Sequence, residues 1–149
     1  MVLLGSESLD GMDRRHPVSL HNTGRWVKIC LTHQKEEALE PLKDASHLYE
    51  VERRAYHAER PGFRIAELQI SPAQMVPWHY HTNIQDTFYV IEGHLRLFLR
   101  DPKQEVRLSA GETYTVLPRR PHLVTNGGDG SATFVVLQGI GEYDYVPLV

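Results

Sequence analysis

The chain has 149 residues, 41% of them hydrophobic and 23% charged, with a formal net charge of −3 at pH 7. That length suits one domain, and the composition excludes collagen-like, disulfide-dense and disordered classes. The slightly acidic balance argues against a nucleic-acid partner, which selects for a basic face, and the single cysteine, Cys30, allows no internal disulfide.

The first apolar run is only Val2–Leu4, followed by Gly5, Ser6 and Glu7. It is too short for a secretory signal, and no window approaches the ~20 apolar residues of a membrane span. A cytoplasmic chain with no membrane partner is therefore expected. Residues 1–24 are polar and aperiodic, with Gly5, Gly11, Pro17 and Gly24 among them. They read as an arm ahead of one domain spanning 25–149. Trp26, Val27, Ile29 and Leu31 fit a short strand. Glu36–Asp44 could begin a helix, which Pro41 would end or kink.

From Phe63 onward, short runs rich in β-branched and aromatic residues alternate with turn clusters, the pattern of an all-β sandwich or barrel. The predicted strands are Arg64–Ser71, Val76–His81, Asp86–Glu92, His94–Arg100, Glu105–Leu108, Thr113–Leu117, His122–Asn126, Ala132–Gln138 and Glu142–Val146. Gly or Pro marks most of the reversals, as in Glu92-Gly93 and Asp101-Pro102-Lys103. Period-2 parity points Leu95, Leu97 and Leu99 to the core and Phe98 outward. It likewise turns Asp86, Phe88 and Val90 inward and Tyr89 and Ile91 outward. If the strands on either side of Gly93 pair, Tyr89, Ile91 and Phe98 form one outer apolar patch, and a homodimer is expected to cover it.

The segment Pro77–Gly93, PWHYHTNIQDTFYVIEG, carries the chemistry. His79 and His81 stand two apart on a strand, so both imidazoles face the same side. Asp86 opens the next antiparallel strand and can return a carboxylate to that interior. His122 opens a later strand and could bring a third imidazole from across the barrel. Three neutral imidazoles and a carboxylate suit one divalent transition metal (Fe, Mn, Ni, Zn or Cu) and suit Ca or Mg poorly.

At these residues the chain resembles the cupin superfamily. In the family's first motif Ala73 takes the place of the opening glycine, His79 and His81 match, Asp86 stands where a glutamate is usual, and Gly93 closes the motif. In the second, Gly111, His122 and Asn126 keep the spacing, Pro118 comes one place late, and Arg119 replaces an inner glycine. The resemblance covers about residues 63–140. It implies a double-stranded β-helix (a jelly-roll barrel) with an N-terminal extension, and places His79, His81 and His122 at ligand positions. Asp86 is one methylene shorter than glutamate, so it ligates directly, through water, or from behind the ligands.

The function expected is that of a metal-dependent cupin acting on a small organic molecule inside the barrel, with non-haem oxygenation the first choice of reaction. The alternatives are a non-catalytic, metal-dependent small-molecule binder and a metal-free isomerase or epimerase. The intact histidine set counts against the last. Glu67 is a candidate general base if it points inward, and Arg119 and Arg120 are candidate anion ligands at the rim. Trp78 and Tyr80 read as packing residues, Gln85 as a turn residue, and Asn126 as a partner for backbone groups. His16, His21, His33, His47, His57 and His94 read as solvated or structural.

Overall fold

Strand parity sets which side chains face inward, and the computed structural model describes residues 38–149. The expected N-terminal arm and the strand around Trp26 lie outside the described residues. Ten strands follow in order: β1 Arg53–Arg60, β2 Phe63–Ile70, β3 Met75–Tyr80, β4 Gln85–Glu92, β5 His94–Leu99, β6 Gln104–Ser109, β7 Thr113–Val116, β8 His122–Asn126, β9 Ala132–Gly139 and β10 Val146–Pro147. They form two five-stranded antiparallel sheets, ordered β1-β2-β9-β4-β7 and β10-β3-β8-β5-β6. No helix occurs among the described residues, so none there is long and apolar enough to cross a membrane.

Alternation fills the space between the sheets. Leu95, Leu97 and Leu99 are buried as expected, facing Phe88, Val90 and Phe134 in one core cluster. Each sheet's inner face is a stack of lateral rows fixed by register. In the first sheet Leu68–Phe134–Val90 and Ala66–Val136–Phe88 are apolar, and the next row is Arg64–Gln138–Asp86. In the second, Val76–Val124–Leu97 is followed by His79–His122–Leu99. The barrel is thus oily at one end of its interior and polar at the other.

Four expectations need correction. First, β4 and β5 are consecutive but do not pair: each lies in a different sheet. Gly93 makes the crossing with φ +78, and a Cβ there would stand 2.7 Å from the Ser131 carbonyl oxygen and 2.9 Å from Ala132 Cα. Tyr89 and Ile91 are exposed on one sheet, while Phe98 lies on the other beneath the Arg96 guanidinium. The single patch that motivated a homodimer is therefore divided. Second, the described part of Glu36–Asp44 is not helical. Leu42 exchanges backbone hydrogen bonds of 2.7 and 2.8 Å with Tyr145, and Ala38 bridges Leu148. Pro41 lacks the N–H a helix would use there. Third, residues 53–60, for which the sequence predicts no strand, form β1 and cover the edge of β2. Fourth, the terminal strand is Val146–Pro147 alone, while Tyr145 bridges Leu42 and both Tyr143 and Tyr145 line the barrel interior.

Candidate metal centre

Local backbone geometry brings the four predicted residues together. In β3 the register slips between Val76 and His79, so three residues there span two on β8. Pro77, which has no N–H to give the ladder, sits in this bulge, and the bulge lets Val76 and His79 share the inner face. His81 follows just beyond the strand, Asp86 enters β4, and His122 opens β8 directly opposite His79. All four side chains are buried, and one candidate donor atom from each lies within 4.8 Å of the others.

Each imidazole is oriented through Nδ1. That nitrogen faces the Pro77 carbonyl in His79 at 2.8 Å, the Arg120 carbonyl in His122 at 3.0 Å, and the Asp144 carbonyl in His81. A carbonyl only accepts, so Nδ1 carries the proton in all three rings and Nε2 is the free lone pair of the neutral form. His122 Nε2 is buried with no hydrogen-bond partner among the described residues. It stands 3.4 Å from Asp86 Oδ2, and His81 Nε2 stands 3.0 Å from the same oxygen. Asp86 Oδ1 accepts from Gln138 Nε2 at 2.8 Å, and Gln138 Oε1 accepts from Arg64 Nε at 2.8 Å. Tyr145 stacks on His79 with centroids 4.2 Å apart, and Tyr143 lies 5.4 Å from His81.

The electrostatics follow from burial and from this geometry. Burial, with repulsion from His122 and His81, holds His79 well below the ordinary histidine value. Burial also opposes a charge on His81, but the Asp86 carboxylate outweighs it and the net direction is upward. Asp86 is desolvated too, yet the imidazoles of His81 and His122 hold it well below the usual carboxylate range. Both ring nitrogens of His81 face acceptors, so without an ion this ring takes the second proton.

The donor set fits a transition metal. Donor atoms about 2.1 Å from a shared ion stand about 3.0 Å apart at a right angle and about 3.4 Å apart at a tetrahedral angle. The two Asp86 separations are of that size, so the shorter aspartate side chain still brings Oδ2 beside the imidazole nitrogens of His81 and His122. The surrounding cavity is about 40 Å³ and is lined below the site by Phe88, Val124 and Phe134.

Other candidates fall elsewhere. Glu67 points outward to Arg53 and His57, because Ala66 and Leu68 take the inner parity of β2. Arg119 is exposed and Arg120 donates 2.8 Å to Gln104 Oε1, so neither lines the cavity. Arg119 instead adopts φ 63, the conformation a glycine would supply, and its N–H donates 2.7 Å to the His81 carbonyl. Asn126 donates to the carbonyls of Ile70 and Gly130 and accepts from Gly128 N–H, as expected. Trp78 packs under Arg100, Gln85 is an exposed residue at the start of β4, and His47, His57 and His94 are exposed. Sequence reading missed Arg54, Arg64, Gln138, Tyr143 and Tyr145, all of which line the cavity. Parity on β2 and β9 would have turned Arg64 and Gln138 inward.

Residues 66–145 match the family model described as a cupin domain. No curated protein sequence matches the chain. Among solved structures, an uncharacterized conserved protein with a double-stranded beta-helix domain from Klebsiella pneumoniae subsp. pneumoniae superposes with TM-score 0.57 at 23% identity, covering 64% of this chain and 83% of that one. A cupin-2 domain containing protein from Shewanella frigidimarina gives TM-score 0.51 at 21% identity, covering 60% and 82%. The oxalate decarboxylase of Lactobacillus farciminis, in its formate complex, gives 0.53 at 17%, covering 60% of this chain and only 27% of its own. At these identities the likeness establishes the fold.

Proposed function

The chain belongs to the cupin-domain family, and from that premise we propose that it is a metal-dependent cupin acting on a small organic molecule in the barrel interior. His79, His81 and His122 hold one divalent transition metal through Nε2, and Asp86 holds it through Oδ2. The observation that carries this reading is the convergence of these donors while every Nδ1 is occupied by a backbone carbonyl. When bound, such an ion supplies a Lewis-acidic centre with open positions that can polarise a substrate oxygen or activate dioxygen.

The chain's own residues set the terms for the reaction. Gln138 holds the Asp86 carboxylate with one oxygen turned to the imidazoles. Tyr145 and Tyr143 shield the ligands from water at the polar end. The cavity of about 40 Å³ is far smaller than the 300–1,000 Å³ or so of drug-sized sites, which favours a compact molecule chelating through adjacent oxygens. Oxygenation of an enol, diketone, catechol or hydroxy acid fits these terms. Oxygen uptake by iron-loaded protein against such a panel tests the reaction. Uptake that requires both the iron and one compound class is the expected result, whereas metal loading with no uptake for any class would leave a binding module.

A further inference from the structure

The cavity holds more positive charge than its own residues neutralise. Its charged lining, apart from the histidines, is Arg54, Arg64 and Asp86. Asp86 is already engaged by Gln138 and His81. Arg64 gives its Nε to Gln138 and lies 3.6 Å over the Tyr143 ring. Arg54 is less satisfied. Its Nη1 donates 3.2 Å to the Ser46 carbonyl and its guanidinium lies over Tyr49, but Nη2 is buried with no hydrogen-bond partner among the described residues. Buried guanidinium donors are rarely left unpaired, and their planar fork matches a carboxylate.

Position adds a second argument. Arg54 and Arg64 line not only the interior but also a surface cleft of about 500 Å³, which they share with Lys43, Tyr56 and the acidic Asp44 and Glu59. They therefore line both the cleft and the interior, so an anion passing from one to the other meets a guanidinium. A divalent ion at the centre would raise the uncompensated charge further.

We propose that Arg54, backed by Arg64, is the anion-recognition element of this cavity and that the molecule it admits is a small carboxylate. This rests on the proposed function for the ion beside it, and it deepens that reading by naming the substrate class. Arg54 is a specificity residue here: it binds the carboxylate and leaves the metal to the histidines.

Isothermal titration of the full chain, metal-loaded and metal-free, with formate, acetate and oxalate against formamide, acetamide and oxamide tests this. The carboxylates should bind and the uncharged amides should not. Arg54→Gln should weaken carboxylate binding at least tenfold with metal per chain unchanged. Arg54→Lys should keep the preference for carboxylates at reduced affinity, which separates recognition from a packing role over Tyr49. Wild-type affinity in both variants, or equal binding of acids and amides, would overturn the proposal. Failure to bind metal, with the carboxylate preference intact in the metal-free protein and lost in Arg54→Gln, would sink the metal reading alone.

Discussion

Gln138 and Asp86 are directly opposite on β9 and β4, and the Gln138 amide donates 2.8 Å to Asp86 Oδ1. That bond fixes which carboxylate oxygen faces the histidines. Gln138→Leu should therefore weaken metal binding by about 10–100-fold, the usual cost of losing such a supporting partner. Competitive titration with a chelating dye would measure it. An unchanged affinity would mean that Asp86 is held by its backbone alone.

If Asp86 ligates as proposed, Asp86→Asn should weaken metal binding about as much as His81→Ala does, since Oδ2 stands 3.0 and 3.4 Å from the Nε2 atoms of His81 and His122. The same titration compares the two variants. A much smaller loss for Asp86→Asn would place the carboxylate behind the ligands.

Proton release follows from His81. In the metal-free protein its raised value means that charged His81 stabilises the fold fully below 6.5 and loses that contribution as pH rises through its folded value. Asp86 contributes above 3.8 and loses its contribution as pH falls through its depressed folded value. His79 is held neutral and disfavours the fold as pH drops below 6.5. Metal uptake must displace the His81 proton, so affinity should rise about tenfold per pH unit until that group is deprotonated. Calorimetry at pH 6, below the ordinary histidine value, in two buffers of different ionisation enthalpy should show net proton release on metal uptake. Zero release would contradict the His81–Asp86 ion pair.

Backbone strain gives two stability predictions of opposite sign. Gly93→Ala should cost about 2–4 kcal/mol, combining the left-handed φ with contact against Ser131 and Ala132. Arg119→Gly should be neutral or stabilising by up to about 1 kcal/mol, since Arg119 already occupies a glycine-like φ of 63. Urea unfolding of both variants checks the pair.

Much of this was legible because the signals were periodic. Alternation located most strands from β2 to β9 to within a residue or two, put His79 and His81 on one side and turned Asp86 inward, while His122 was found from its place in the second motif. Two things escaped it. Sheet membership is not a property of parity, so the crossing at Gly93 and the separation of Tyr89 from Phe98 were invisible. Charged and irregular segments also carry no apolar period: β1 reads RRAYHAER and alternates no core face, so Arg54 gave no sign of reaching the cavity. Tyr143 and Tyr145 were hidden in a segment mistaken for a regular strand, where the chain instead pairs with Leu42.

The central claim is that three histidines and one aspartate hold one ion, and metal content tests it most directly. Elemental analysis of protein purified without chelator or affinity nickel should give close to one transition-metal ion per chain. His122→Ala, which removes the buried Nε2, should lose most of it while remaining folded by circular dichroism. A wild-type protein that takes up no transition metal, or a folded His122→Ala that keeps the wild-type content, would contradict the account.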